Sequence, residues 1–113
     1  MVTYDFQVTA TAPVDSVMRT LSDPTRRAIY ERIAVRREAS VRELTEHAGV
    51  SQPAVSQHLA ILLKARLVRA RRVGRERRYR LEPRPLETIR DWVGAYERFW
   101  RNRLDALGSS LTE

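Results

Sequence analysis

The sequence predicts one mainly α-helical domain that carries a single small β-hairpin. Three observations support this fold class. Proline or a small polar residue stands at the start of each of five segments with helical spacing of apolar residues. Gly49 separates two of these segments by a few residues, and the spacing becomes alternating between Leu67 and Leu81. The 113 residues suffice for one core. We expect an N-terminal arm over residues 1–12, a folded domain over residues 13–108 and a C-terminal tail over residues 109–113.

Two helices are predicted in the first third of the chain. Pro13 opens a short helix that ends near Ser22. Asp23 is an N-cap residue followed by Pro24, and the helix that they open runs to about Arg36. The side chains expected to face the core are Val14, Val17, Met18 and Leu21 in the first helix and Ala28, Ile29, Tyr30 and Ile33 in the second.

A helix-turn-helix is predicted next. Ser40 to Glu43 have the spacing of a capping box, which opens a short helix from Val41 to about His47. Gly49 allows a tight turn, and Ser51 caps a second helix from Gln52 to about Ala65. Two helices joined by so short a glycine-containing turn are typical of this motif.

The second of these helices has one apolar and one polar face. At 100° per residue, Val55, Leu59 and Leu62 fall on the buried side. The opposite face is small and mostly uncharged, which suits a helix that enters a DNA groove. Its residues are Gln52, Pro53, Ser56, Gln57, Ala60 and Lys64.

A hairpin centred on Gly74 and a long last helix complete the domain. The last helix is expected from about Pro85 to Leu107, with Gly108 as its C-terminal cap. This order of elements predicts a winged helix-turn-helix that reads DNA. The apolar stripe of the last helix is too wide for so small a domain to cover: Leu86, Ile89, Trp92, Val93, Tyr96, Phe99, Trp100, Leu104 and Leu107.

Positive charge is concentrated in the hairpin. The segment from Arg66 to Arg84 holds nine arginines and two glutamates, so its net charge equals the +7 of the whole chain. Arginine grips phosphate with paired hydrogen bonds, which makes a polyanion the expected partner. The N-terminus lacks the basic and apolar stretches of a secretory signal, and no apolar run is long enough to span a membrane. We therefore expect a cytoplasmic protein without a membrane partner.

Several separated motifs resemble the ArsR-type family of bacterial winged-helix repressors. They are Leu21 to Arg27, Glu43-Leu44, Ser51 to Leu59 and Leu67-Val68, and the similarity spans about residues 14 to 107. The resemblance implies a homodimer, joined through its first and last helices, that binds a two-fold symmetric operator in double-stranded DNA. One recognition helix would serve each half-site.

The resemblance also implies which residues contact DNA. By position, Gln52, Ser56 and Gln57 are the candidate base-reading residues, while Pro53 stands where a polar residue is more usual and Arg66 where glycine is common. The alternative for these three polar residues is a solvated face without a DNA contact. For the arginines of the predicted hairpin, called the wing below, the alternative is that they are solvated or paired with acids. The complete candidate set is Ser51, Gln52, Pro53, Ser56, Gln57 and Lys64 in the recognition helix and Arg71, Arg72, Arg75, Arg77 and Arg78 in the wing.

Metal binding and catalysis are not expected. The family's thiolate metal site would need cysteines between Val41 and His47, and the chain contains no cysteine. The last helix has carboxylates without a histidine, and His47 and His58 stand alone. We find no nucleophile with a recognisable partner and no phosphate-binding loop.

The sequence therefore predicts a homodimeric, sequence-specific transcriptional repressor that needs no metal or other cofactor. Two alternatives stay open: an architectural nucleic-acid-binding protein that does not read sequence, and an adaptor whose aromatic last helix binds a protein partner. A small-molecule effector in an aromatic pocket of that helix also stays open. The predicted dimer contacts are Val14, Val17, Met18, Leu21, Trp92, Tyr96, Phe99, Trp100 and Leu104.

Overall fold

The computed structural model describes residues 14–112, with side chains to residue 108, and it confirms the predicted fold class. Pro13, the predicted arm and residue 113 lie outside the described residues. Five helices and a three-stranded antiparallel sheet occur in the described part of the chain. In chain order they are α1 (residues 14–21), α2 (Pro24–Arg36), β1 (Ala39–Ser40), α3 (Val41–Thr45), α4 (Gln52–Lys64), β2 (Val68–Val73), β3 (Glu76–Leu81) and α5 (Arg84–Thr112).

The core lies where α2 and α4 pack against each other and against the sheet. Val55, Leu59 and Leu62 of α4 are completely buried there, as their spacing predicts. In α2 the prediction is wrong at Ala28, which is exposed. The other three predicted positions, Ile29, Tyr30 and Ile33, are buried as expected, on the side of α2 that packs against α4 and β3.

The three predicted N-caps are confirmed. Asp23 Oδ1 accepts the backbone N–H of Arg26 at 2.9 Å, a bond that lowers the pKa of the Asp23 carboxyl below its usual range. Ser51 Oγ accepts the backbone N–H of Ala54 at 3.3 Å. In the capping box at α3, the backbone N–H of Ser40 donates to Glu43 at 2.9 Å, and the backbone N–H of Glu43 donates to Ser40 Oγ at 3.2 Å. Each bond satisfies a backbone donor that the first helical turn leaves free.

Helix α3 ends earlier than predicted. It stops at Thr45 rather than His47, and residues 46–48 form a turn. The Thr45 hydroxyl donates to the carbonyl oxygen of Val41 at 2.7 Å, and a side chain that competes for backbone groups in this way weakens a helix. Gly49 then takes a φ of +71°, so the chain turns into α4 without steric cost.

The sheet contains a strand that the sequence did not predict. Ala39 and Ser40 form β1, which pairs with β3 opposite Tyr79 and Arg78. The predicted hairpin between β2 and β3 is present and closes through a two-residue turn. Gly74 supplies the positive φ of +64° at the first turn position, as a type II′ turn requires.

Helix α5 is longer than predicted at both ends. It begins at Arg84 rather than Pro85 and continues past Leu107 to Thr112. Gly108 therefore lies inside the helix and is not its C-cap. The reason is that glycine permits a left-handed residue without imposing one, and a helix can pass through it at a cost of about 0.5–1 kcal/mol.

Helix α4 ends in a Schellman motif in which an arginine takes the left-handed position. The backbone N–H of Leu67 donates to the Leu62 carbonyl at 3.0 Å, and that of Arg66 donates to the Leu63 carbonyl at 3.0 Å. This geometry requires a left-handed residue, and Arg66 supplies it with a φ of +61°. Buried Leu67 closes the motif against the core.

We expect Arg66→Gly to stabilise the fold. A left-handed L-residue costs roughly 1–2 kcal/mol, and the larger entropy of an unfolded glycine offsets part of the gain. The free energy of unfolding should therefore rise by about 0.5–1 kcal/mol, measured by urea denaturation at a fixed protein concentration. Lys64→Gly is the control, because the same residue within the right-handed part of α4 should lower stability by about 1 kcal/mol. An Arg66→Gly variant as unstable as this control would contradict the prediction.

Candidate nucleic-acid interface

The first turns of α4 present a small, uncharged polar surface. Gln52, Ser56 and Gln57 are exposed, and Pro53 lies among them. The helix is held from behind by side chains that are completely buried, so its outward face has a fixed orientation. Ser51 is also exposed, but its oxygen already serves as the N-cap of α4. Lys64 is exposed at the far end of the helix.

The tip of the wing carries arginines that are available to a polyanion. Arg72, Arg75 and Arg77 are exposed, and none of them pairs with a carboxylate in the described part of the chain. The Arg77 guanidinium lies 5.6 Å from the centre of the Tyr79 ring, a cation–π arrangement that leaves its N–H groups free for an acceptor. The positive charge of these three arginines is therefore not neutralised by a carboxylate within the described residues.

Arg71 and Arg78 belong to a different group, because carboxylates bind them, including two from outside the hairpin. Arg78 lies 3.0 Å from Glu38, 3.1 Å from Glu43 and 3.1 Å from Glu76, measured from guanidinium nitrogen to carboxylate oxygen. Arg71 lies 3.1 Å from the same Glu38, and this pairing holds the pKa of Glu38 below its usual range. The sequence interpretation that only Glu76 and Glu82 lie near the wing arginines is wrong. Because its guanidinium is occupied, we take Arg78 as a residue that positions the wing.

Glu43 is one member of a carboxylate–arginine cluster whose centre is Arg78, which binds three carboxylates. The cluster consists of Arg36, Glu38, Glu43, Arg71, Glu76 and Arg78. Glu43 connects it to α2 and α3. Its carboxylate accepts the backbone N–H of Ser40, and it also binds Arg36 of α2 and Arg78 of β3. The Ser40 bond and the two guanidinium groups lower the pKa of Glu43 to about 2. The cluster therefore joins α2, the start of the helix-turn-helix and the wing.

Two of the remaining arginines near the wing have contacts with Glu82. Arg69 pairs with Glu82, and this contact holds the pKa of Glu82 below its usual range. The same carboxylate accepts the backbone N–H of Arg84 at 3.4 Å, at the start of α5. Arg80 is exposed on β3.

The two parts of the predicted dimer surface differ in exposure. Val17 is 2% exposed and belongs to the core of this chain, Val14 is buried, and Leu21 is half-buried against that core. Met18 is 37% exposed. In α5 the predicted contacts form a continuous uncovered stripe in which Trp100 is 57% exposed. The stripe, called the α5 stripe below, consists of Trp92, Tyr96, Phe99, Trp100 and Leu104.

The described residues contain no cluster of three or more histidine, cysteine, aspartate or glutamate side chains with metal-binding geometry. His47 lies in the turn after α3, and His58 lies in α4. Among the same residues, no helix has the length and hydropathy needed to cross a bilayer.

An exposed helix-turn-helix beside a small arginine-rich sheet defines a winged-helix DNA-binding protein. The family model for "Bacterial regulatory protein, arsR family" matches residues 23–70 of the chain. The HTH-type transcriptional regulator Rv2034 of Mycobacterium tuberculosis is 44% identical over 90 residues, which cover 80% of this chain and 80% of that protein. The chain therefore belongs to the ArsR family, which confirms the resemblance. It is a DNA-binding transcriptional regulator and not an enzyme.

Two further relatives extend this comparison. The probable mercury resistance operon repressor of Streptomyces lividans is 43% identical over 72 residues, which cover 63% of this chain and 57% of that protein. The ArsR-like transcriptional regulator from Rhodococcus sp. RHA1 has the same fold, with a TM-score of 0.69 at 33% identity. That match covers 85% of this chain and 90% of the solved one.

The lowered pKa of Glu43 predicts how stability depends on pH. Its folded value of about 2 lies below the ordinary value of 4.5, so its contribution is complete above pH 4.5 and is lost as the pH falls toward 2. Glu43→Gln should therefore be less stable than the wild type at pH 6, and the difference should narrow at pH 3. Urea midpoints at both pH values measure this.

Glu46→Gln is the matched control for the Glu43 experiment. Glu46 is exposed three residues later and has no ion pair within the described residues. This variant should remain close to the wild type at both pH values. A Glu43→Gln deficit that is the same at pH 3 and pH 6 would show that the carboxylate's charge does not contribute.

The two groups of wing arginines should differ in their effect on DNA binding. Each lost phosphate contact flattens the slope of log affinity against log salt by about 0.9. We expect Arg75→Ala to flatten the slope by this amount for each protomer bound, with little change in stability. Arg78→Gln should lower the thermal midpoint and leave the slope near the wild-type value. Equal slope changes in the two variants would contradict this division.

Proposed function

We propose that the protein is a homodimeric repressor that binds a palindromic operator and blocks transcription without a metal cofactor. The observation that carries this proposal is the exposed, uncharged face formed by Gln52, Ser56 and Gln57 at the start of α4. The N-terminal turns of a recognition helix are the part that contacts base edges in the major groove.

This face favours a protein that reads sequence over one that binds DNA of any sequence. A glutamine can bond to N6 and N7 of adenine together, and a serine can serve several bases. A protein that contacts only the phosphate backbone of DNA would be expected to have lysine or arginine on this helix. Here the positive charge lies mainly on the wing, where Arg72, Arg75 and Arg77 are assigned to phosphate contacts or to the minor groove.

The α5 stripe supports a symmetric dimer. It leaves five large apolar side chains exposed along one helix, and a second copy of the chain would cover them. Met18 and Leu21 of α1 are the residues of the first helix that we assign to the same interface, because Val14 and Val17 are buried within the chain. Two-fold symmetry would place the two recognition helices about 34 Å apart, one turn of DNA.

The repressor role and metal independence rest on two further observations. The Streptomyces lividans relative is named as a repressor, and its name refers to mercury resistance. This chain has no cysteine to supply a thiolate ligand. We therefore assign repression to occupation of the operator by the protein itself.

Selection of bound sequences from a random DNA pool tests the proposal. We expect a palindromic consensus whose half-sites are centred about one helical turn apart. Gln57→Ala should then relax the preference at one base pair of each half-site and lower specific affinity by about 1–3 kcal/mol, with little change on random DNA. If the pool yields no consensus, the protein is a general nucleic-acid binder. If it yields no bound DNA from a monomeric protein, the adaptor alternative is correct.

The dimer assignment gives a separate prediction. Trp100→Glu places a charge in the α5 stripe, so it should produce a monomer that retains its helix content and loses operator binding. Val35→Glu is the control, because Val35 is 79% exposed on α2, away from the stripe, and should leave the dimer intact. Sedimentation measures the oligomeric state of both variants, and a binding assay measures their affinity for the operator. A tight Trp100→Glu dimer would show that the interface lies elsewhere.

Metal independence is tested on the same operator. We expect neither a chelator nor added zinc to change operator affinity, because the chain offers two isolated histidines and no thiolate. A reproducible tenfold change, equivalent to about 1.4 kcal/mol of coupling, would refute the prediction. Circular dichroism under the same conditions distinguishes such coupling from metal-induced unfolding.

A further inference from the structure

An apolar side chain lies at the centre of the face that α4 presents to DNA. Pro53 is exposed in the first turn of the helix, where a polar side chain would be expected to face a groove. At 100° per residue, Gln57 lies about 40° to one side of Pro53 and Ser56 about 60° to the other. The proline ring is therefore flanked on both sides by groups that form hydrogen bonds.

The chemistry of the proline ring limits which base edge it can face. Its exposed atoms are CH₂ groups, and proline has no backbone N–H to donate. Against an amino group or a carbonyl oxygen of a base, the ring would displace water without replacing the lost hydrogen bond, which is unfavourable. In the major groove thymine alone presents a methyl group, at C5. A thymine methyl is the partner that an exposed proline fits best.

We propose that Pro53 reads the C5 methyl of one thymine in each half-site, beside an adenine that Gln52 or Gln57 bonds. This inference rests on the proposed function, in which α4 enters the major groove of a specific operator. It makes Pro53 a specificity-determining residue. A helix start alone does not require it, because Ser51 already caps α4 and position 53 accepts other residues without loss of a hydrogen bond.

Replacing thymine with deoxyuridine tests the proposal, because deoxyuridine pairs in the same way and lacks only the methyl group. Duplexes of the selected operator carry this replacement at one thymine at a time. With the wild-type protein, we expect affinity to fall about fourfold at one thymine of each half-site, the loss expected for one buried methyl-sized group. With Pro53→Ser, the same replacement should have no effect at that position.

Ala60→Ser is the matched control. Ala60 is an exposed apolar residue on the same face of α4, two turns farther along the helix. This variant should keep the position-specific loss on deoxyuridine that Pro53→Ser abolishes. A second selection with Pro53→Ser adds an independent readout, because the consensus should change at that base pair alone. Circular dichroism verifies that both variants fold.

The outcomes separate this inference from the function on which it rests. If the wild-type protein selects no consensus, the proposed function fails. If it selects a consensus but tolerates deoxyuridine at every position, the proposed function stands and the role of Pro53 is wrong. A loss on deoxyuridine that persists in Pro53→Ser would likewise overturn the inference, because another residue would then contact the methyl group.

Discussion

The position of the wing depends on the carboxylate–arginine cluster in which Glu43 binds Arg78 and Arg36. One carboxylate caps α3 through Ser40 and binds guanidinium groups from α2 and β3. A single exposed ion pair contributes little to stability, but hydrogen-bonded networks reinforce one another and fix direction. Two strands rich in arginine would repel each other without such carboxylates. The cluster therefore makes it possible to hold a strongly basic hairpin beside α4.

The arginines of the hairpin differ in whether a carboxylate of the domain binds them. Arg69, Arg71 and Arg78 are bound by carboxylates of the domain, whereas Arg72, Arg75 and Arg77 have no such partner among the residues described. The net charge of the segment therefore overstates the positive charge that the base of the wing offers to DNA. It describes the tip of the wing more closely. In the proposed function, phosphate contacts are therefore assigned to the end of the wing, and discrimination between bases is assigned to the uncharged start of α4.

Features set by nearby residues could be predicted from the sequence, and features set by distant pairing could not. The caps at Asp23, Ser40 and Ser51 follow from bonds that reach three residues along the chain. Strand β1 is only two residues long and exists because Ala39 meets Tyr79, a partner 40 positions away. The role of Glu38 depends on the same pairing, and no local motif signals it. Gly108 is not a cap for a related reason. Glycine allows the left-handed conformation that often ends a helix, but α5 continues past this residue.

The base of the wing also contacts the start of α5, the helix that carries the apolar stripe. Glu82 binds Arg69 of β2 and accepts the backbone N–H of Arg84, where α5 begins. The wing and α5 therefore share one carboxylate. Any partner that fixes α5 also restricts the base of the wing, because the two are joined by a bond rather than by a loose linker. In the proposed dimer, the position of the wing would then be coupled to the geometry of the dimer, and this coupling would connect a stripe remote from α4 to DNA binding.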